Sequence, residues 1–229
     1  MKIKAIIGSS IVLGLMSVGA MAQTLPASCG VRVSNGTGAR FYEPTNLNGA
    51  RVNILVWGNG TGGGAATYSN LLNAAAARCV LVAAATTANS GEGTQMRDAL
   101  NQARSRFANI IRTTNLRIAT SGHSQGGGAT FNAANVIGSA VTAGIALEPD
   151  TVFTIQIRRP VAANVDMTCI FGNRDNLAPA QPSNLNNCRR NSTIFKTLTV
   201  SASHLNWINQ TGGGTVGTAQ RNEINRLLR

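Results

Sequence analysis

From residue 52 onward the chain alternates short, continuous apolar runs with stretches of helical spacing, and this alternation restricts the fold more than any other feature. The runs are VNILVWG (52–58), CVLVAAATT (79–87), LRIATSG (116–122), GIALE (144–148), MTCIFG (167–172) and IFKTLTV (194–200). Continuous runs of this length suit strands covered on both sides rather than strands with one wet face. Between and after them, YSNLLNAAAARC, TQMRDALNQARSRFANIIR, GGATFNAANVIG and TAQRNEINRLL place their apolar residues at helical intervals. Such an order predicts an α/β fold: a mostly parallel central sheet with helices on both faces. Upstream, GVRVSNGTGARFYEP is β-like and punctuated by glycine, which predicts an antiparallel pair at the sheet edge. No internal repeat or linker interrupts the pattern, so residues 23–229 read as one domain.

Residues 1–22 read as a cleaved secretory signal. Two lysines precede a short apolar run that closes on Ala20-Met21-Ala22, a small-x-small processing site. Export, to the periplasm or beyond, implies an oxidising compartment in which Cys29, Cys79, Cys169 and Cys188 can pair. Cys169–Cys188 is the closer pair in sequence and is the expected bridge, while Cys79 equally suits a buried thiol. The formal charge of +12 falls to +10 without Lys2 and Lys4. The arginines are scattered and aromatics make up only 4% of the chain, so neither a nucleic-acid groove nor a base-stacking platform is implied. No later segment is apolar for long enough to span a membrane, and a soluble monomer is expected.

Chemistry concentrates in SGHSQGGG (121–128). Gly122-His123-Ser124-Gln125-Gly126 matches G-x-S-x-G, the sharp strand-to-helix turn that exposes a nucleophilic serine. Such a serine needs a base within hydrogen-bond reach and an acid to orient that base. Only two histidines are present. His123 adjoins Ser124 in a turn where neighbouring side chains diverge, which leaves His204, just past the last strand, as the base. Among the acids, Asp98 and Glu223 fall on helices expected at the surface, and Asp166 precedes its strand. Asp175, in FGNRDNLAP, follows a strand and is the expected orienter, with Glu148 and Asp150 as alternatives. The chain order Ser124, Asp175, His204 is that of α/β-hydrolases.

A second glycine cluster, WGNGTGGG (57–64), also fits the G-x-G-x-x-G of dinucleotide-binding turns. The following strand ends in AAATT without the acid that would bind a ribose, and no lysine follows the glycines. The loop is better suited to presenting backbone N–H groups to an oxyanion. No cofactor or metal is called for.

On WGNGTGGG, GHSQGGG, GNRDNLAP and SASHLNW, from about Asn53 to Trp207, the chain resembles bacterial cutinase-like polyester hydrolases and their dienelactone-hydrolase-related neighbours in the α/β-hydrolase superfamily. The resemblance implies a serine esterase with Ser124 as nucleophile, Asp175 as orienter and His204 as base. It also implies an oxyanion hole from the amide of Gln125 together with that of Asn59 or a neighbour. Gly60 and Thr61 are expected to contact the ester, a polymeric one in the polyester-degrading members, and Trp207 is expected either to line its pocket or to pack in the core. Gln125 and Asn59 stand where the polyester-degrading members carry Met and an aromatic residue, and ALEPDTVF lacks their tryptophan. These departures remove an aromatic clamp. Only about fifteen residues separate Asp150 from the strand at Asp166, too few for a helical lid, so an open site is expected. Other activities on the same machinery (lipase, thioesterase, peptidase) and a non-catalytic polymer- or surface-binding domain are the competing readings.

Overall fold

In a computed structural model, residues 24–229 are described; the expected signal segment at 1–22 lies outside them. Eight strands form one sheet. They are β1 (Gly30–Gly36), β2 (Ala39–Thr45), β3 (Ile54–Gly58), β4 (Leu81–Ala85), β5 (Ile118–His123), β6 (Val141–Leu147), β7 (Asp166–Gly172) and β8 (Ile194–Val200). The helices are α1 (Ser69–Ala76), α2 (Thr94–Arg106), α3 (Gln125–Ile137), α4 (Leu185–Arg190) and α5 (Gly214–Leu228). Strand order is β1-β2-β4-β3-β5-β6-β7-β8. β1 pairs antiparallel with β2 and β2 antiparallel with β4, as the glycine-punctuated segment implied. Every pairing from β4 through β3 to β8 is parallel. This is an α/β architecture with a mostly parallel sheet.

The sheet splits its core between two faces, because successive strand residues point to opposite sides. Along β3, Ile54 and Val56 join one cluster with Met96, Phe107 and Phe131, beneath α2 and α3. Leu55 and Trp57 join the other with Leu71, Leu72, Ile224 and Leu228, beneath α1 and α5. Helix α2 buries Met96, Ala99, Leu100 and Ala103, an i, i+3, i+4, i+7 stripe that explains its position. No described helix is long and apolar enough to cross a membrane.

Two expectations need correction, and one element was not foreseen. Helix α4 was not legible as a helix: six residues, LNNCRR, are too few to show a period. Glu223 does not face solvent on α5. It is 2% exposed and accepts hydrogen bonds from Thr168 Oγ1 (2.9 Å), Lys196 Nζ (2.6 Å) and Arg226 Nε (2.7 Å), so a buried charge is matched by partners from two strands and its own helix. Finally, the disulfide joins Cys29 to Cys79, with Cα atoms 5.3 Å apart, and not Cys169 to Cys188. The Cys29 amide donates to Ala77 O (3.0 Å), which brings the segment before β1 against the end of α1 and its thiol onto Cys79. Cys169 on β7 and Cys188 on α4 remain buried thiols, in contact with each other but unbonded.

Candidate active site

Ser124 sits between β5 and α3 with φ 55° and ψ −118°, a backbone conformation that costs a non-glycine residue of order 1–3 kcal/mol. The surrounding structure enforces it. Ser124 N–H donates to Leu147 O (3.0 Å), while Ser124 O accepts from Gly128 N (3.0 Å) and Asp150 N (3.0 Å). The flanking glycines let three backbones meet: a Cβ at Gly122 would strike Gly126 O, and one at Gly126 would strike Gly58 O. The turn therefore lifts a partly exposed hydroxyl above the C-terminal edge of the sheet.

His204 lies in the turn after β8. Its Nε2 is 2.8 Å from Ser124 Oγ and its Nδ1 is 2.8 Å from Asp175 Oδ2. Asp175, in the loop after β7, is fixed in turn by the amides of Leu177 (2.8 Å) and Ala178 (2.9 Å), which donate to its Oδ1. Burial alone would raise the carboxyl pKa, but the His204 and Ala178 hydrogen bonds outweigh it, and the group stays ionised below the usual range. Of the two alternative acids, Asp150 is occupied elsewhere. Its carboxylate accepts the amides of Val152, Phe153 and Thr154 and the Thr154 hydroxyl (2.7–3.1 Å) and so shapes its own loop. Glu148 comes within 4.0 Å of His204 Nδ1, farther than a hydrogen bond.

His123 packs behind this arrangement, as its place in the turn implied. It is 1% exposed, its ring centroid lies 4.6 Å from that of His204, and its Nδ1 is 2.9 Å from Tyr68 Oη. Burial lowers its pKa against the pull of Glu148, so it is neutral at neutral pH. Tyr68, pushed up to about 12 chiefly by burial, keeps its proton. Sequence reading passed over Tyr68 because it looked like one more residue at the start of α1.

Of the expected oxyanion donors, Asn59 itself is not available. Asn59 N–H is already bonded to Ser90 Oγ (3.0 Å), and its wholly buried side chain ties Trp57 Nε1 (2.9 Å) to Ala85 O (2.7 Å) and Thr87 O (2.8 Å). Asn59 is a brace under the loop, not a donor to the cleft. Gly60 N–H is engaged by Tyr68 Oη (3.2 Å), whereas Thr61 N–H has no acceptor among the described residues. Gln125 N–H, at the first position of α3, is likewise without an acceptor there. Thr61 and Gln125 thus replace Asn59 and Gln125 as the available pair.

A cleft of about 360 Å³ opens over Ser124 and His204, lined by Gly60, Thr61, Tyr68, Asp150, Phe153 and Leu177 among others. Gly60 and Thr61 lie where contact with a substrate was expected. Trp207 does not: it is 1% exposed, packs edge-on against His123 with ring centroids 4.9 Å apart, and donates Nε1 to Glu148 Oε2 (2.8 Å). The turn after His204 folds it inward. Around the mouth stand Phe153 (78% exposed), Leu205 (57%) and Leu177 (59%), an apolar rim from three loops that no periodicity could reveal.

The glycine loop of 58–63 does not form a phosphate cradle. Helix α1 begins only at Ser69, so none of the loop amides crown its N-terminus. Among the described residues one cluster has metal-ligand composition: atoms of His123, Glu148 and His204 lie within 4.8 Å of one another. Both His204 nitrogens, His123 Nδ1 and Glu148 Oε2 already have hydrogen-bond partners outside the cluster, while His123 Nε2 and Glu148 Oε1 have none among the described residues. In sequence, the chain matches no protein-family model and no curated protein.

Proposed function

We propose that the protein is a serine hydrolase of the α/β-hydrolase fold that cleaves carboxylic esters through an acyl-enzyme. The observation that carries this reading is His204 standing 2.8 Å from Ser124 Oγ on one side and 2.8 Å from Asp175 on the other, over a strained strand-to-helix turn. His204 Nε2 takes the Ser124 proton as Oγ attacks the ester carbonyl. Asp175 keeps Nδ1 protonated and balances the imidazolium that forms. The carbonyl oxygen, now an oxyanion, receives the free amides of Thr61 and Gln125. His204 then gives its proton to the leaving alcohol, and water activated by the same nitrogen releases the acid.

The apolar rim favours esters with an apolar acyl or alcohol part. The β6–β7 connection carries no helix, which leaves the cleft open enough for a bulky or polymeric ester. A disulfide between Cys29 and Cys79 fits an exported enzyme.

Hydrolysis of p-nitrophenyl acetate, butyrate, octanoate and palmitate tests the proposal, with Ser124→Ala and fluorophosphonate labelling as controls. Turnover and labelling that both vanish in Ser124→Ala support it. Folded, unlabelled protein without turnover on any ester sinks it in favour of a binding role.

A further inference from the structure

Glu148 stands beside His204 in a way that the Ser124–His204–Asp175 arrangement does not require. It follows β6 with φ 42°, a left-handed backbone that side chains other than glycine, asparagine and aspartate rarely adopt. Its carboxylate is wholly buried. Oε2 accepts the Trp207 Nε1 hydrogen bond (2.8 Å) and lies 3.4 Å from His123 Nε2 and 4.0 Å from His204 Nδ1. Oε1 has no hydrogen-bond partner among the described residues and fills the space that a Cβ on residue 172 would occupy, so Gly172 makes room for it. A buried carboxylate oxygen with no partner is costly unless a charge comes to it.

No resident cation supplies that charge. Among the described residues no lysine or arginine forms an ion pair with Glu148. His123 does not supply it either. Tyr68 Oη receives the Gly60 amide, so its own proton goes to His123 Nδ1, and a neutral His123 presents Nε2–H to Glu148. The other groups around His204 are Asp175 after β7 and Ser124. Asp150 also lines the cleft, but its carboxylate is spent on its own loop. The cation that fits is the imidazolium of His204 itself, which forms during acyl transfer with Nδ1 4.0 Å from Glu148 Oε2.

We propose that Glu148 is a second positioning carboxylate for His204, one whose charge stabilises the imidazolium and which takes the Nδ1 proton's hydrogen bond when Asp175 is absent. This rests on the serine-hydrolase reading above. Two carboxylates then serve one base from different strands: Asp175 sets its tautomer, and Glu148 deepens the negative potential behind it.

Glu148→Gln tests this, because its amide oxygen keeps the Trp207 bond while the charge is lost. The assays are p-nitrophenyl butyrate kinetics across pH, the rate of fluorophosphonate labelling of Ser124, and the melting temperature. In Glu148→Gln, kcat falls about 10- to 100-fold with KM little changed. The acid limb of kcat/KM moves to lower pH by about half a unit or more, since a lost negative neighbour disfavours the protonated ring. Glu148→Asp recovers part of the rate. In folded Glu148→Gln, wild-type kcat with an unmoved acid limb overturns the proposal and leaves Glu148 a packing partner of Trp207. Where Glu148→Gln does not fold, Asp175→Ala decides. A kcat within about 10²-fold of wild type supports a second carboxylate, and a loss of about 10⁴-fold overturns it. Wild-type protein with neither turnover nor labelling of Ser124 brings down the hydrolase reading itself, a result distinct from an active enzyme indifferent to Glu148.

Discussion

Asp175 offers one oxygen to His204 and the other to its own loop: Oδ2 is 2.8 Å from His204 Nδ1, while Oδ1 accepts the Leu177 and Ala178 amides. This division predicts what Asp175→Asn does. The asparagine oxygen must stay on the two amides, so its NH2 group faces Nδ1 and forces the ring into the tautomer that cannot take the Ser124 proton. On p-nitrophenyl butyrate, kcat is expected to fall about 10⁴-fold with KM within a few-fold of wild type. A loss under tenfold would mean that the ring is oriented by something else.

A second carboxylate governs stability rather than chemistry. Burial would raise the Glu223 pKa, but hydrogen bonds from Lys196, Arg226 and Thr168 reverse that, leaving it below the ordinary value. Asp175 is depressed in the same way. A group with a depressed pKa in the folded state contributes stability that is present above its unfolded value and disappears as pH falls through the folded one. Stability should therefore decline below about pH 4.5. Glu223→Gln should flatten that decline while lowering stability at pH 7 by about 2 kcal/mol, a drop of roughly 4–8 °C in melting temperature, because its charged partners are themselves partly exposed. Thermal melts of both proteins from pH 7 to pH 3 read the two effects together.

The contrast between these acids shows what the sequence could carry. Strands and long helices were legible because they bury whole faces and so leave apolar runs and stripes. Ser124, Asp175 and His204 were legible because the turn chemistry and the scarcity of histidine left few alternatives. Glu223 was misread because an apolar stripe cannot show that a carboxylate on its edge meets Lys196 and Arg226 in space. Asn59 sat in a glycine loop that promised free amides, yet its partner Ser90 is thirty-one residues away and its bond consumes the N–H. Trp207 follows His204 by three residues, but the chain turns inward between them. In each case the deciding contact is long-range, and nothing local encodes it.

The disulfide carries a prediction with the same origin. Cys29–Cys79 closes a loop of about fifty residues, for which chain-entropy loss from the unfolded state amounts to about 4 kcal/mol. Cys79→Ser should lower the melting temperature by roughly 8 °C or more. Thiol titration should find no reactive cysteine in native protein and two in denatured, unreduced protein, both from the buried pair Cys169 and Cys188. Peptide mapping that links Cys169 to Cys188 instead would refute the assignment.

The apolar rim makes the last prediction, and it separates recognition from chemistry. Phe153, Leu177 and Leu205 reach the cleft mouth from three loops, and none of their side chains enters the hydrogen bonds that align Ser124, His204 and Asp175, to which only the Leu177 backbone amide contributes. Exposed apolar side chains of this size keep water-facing surface that a long acyl or alcohol chain can cover, at about 25 cal/mol per Å². An acetate is too short to reach them. Phe153→Ser and Leu205→Ser should therefore leave kcat/KM on p-nitrophenyl acetate within about twofold while lowering it on the octanoate by about tenfold, chiefly through KM. Equal losses on both esters would show that the rim supports the fold of the cleft rather than the substrate, and any preference for apolar esters would have to arise deeper, beside Thr61 and Tyr68.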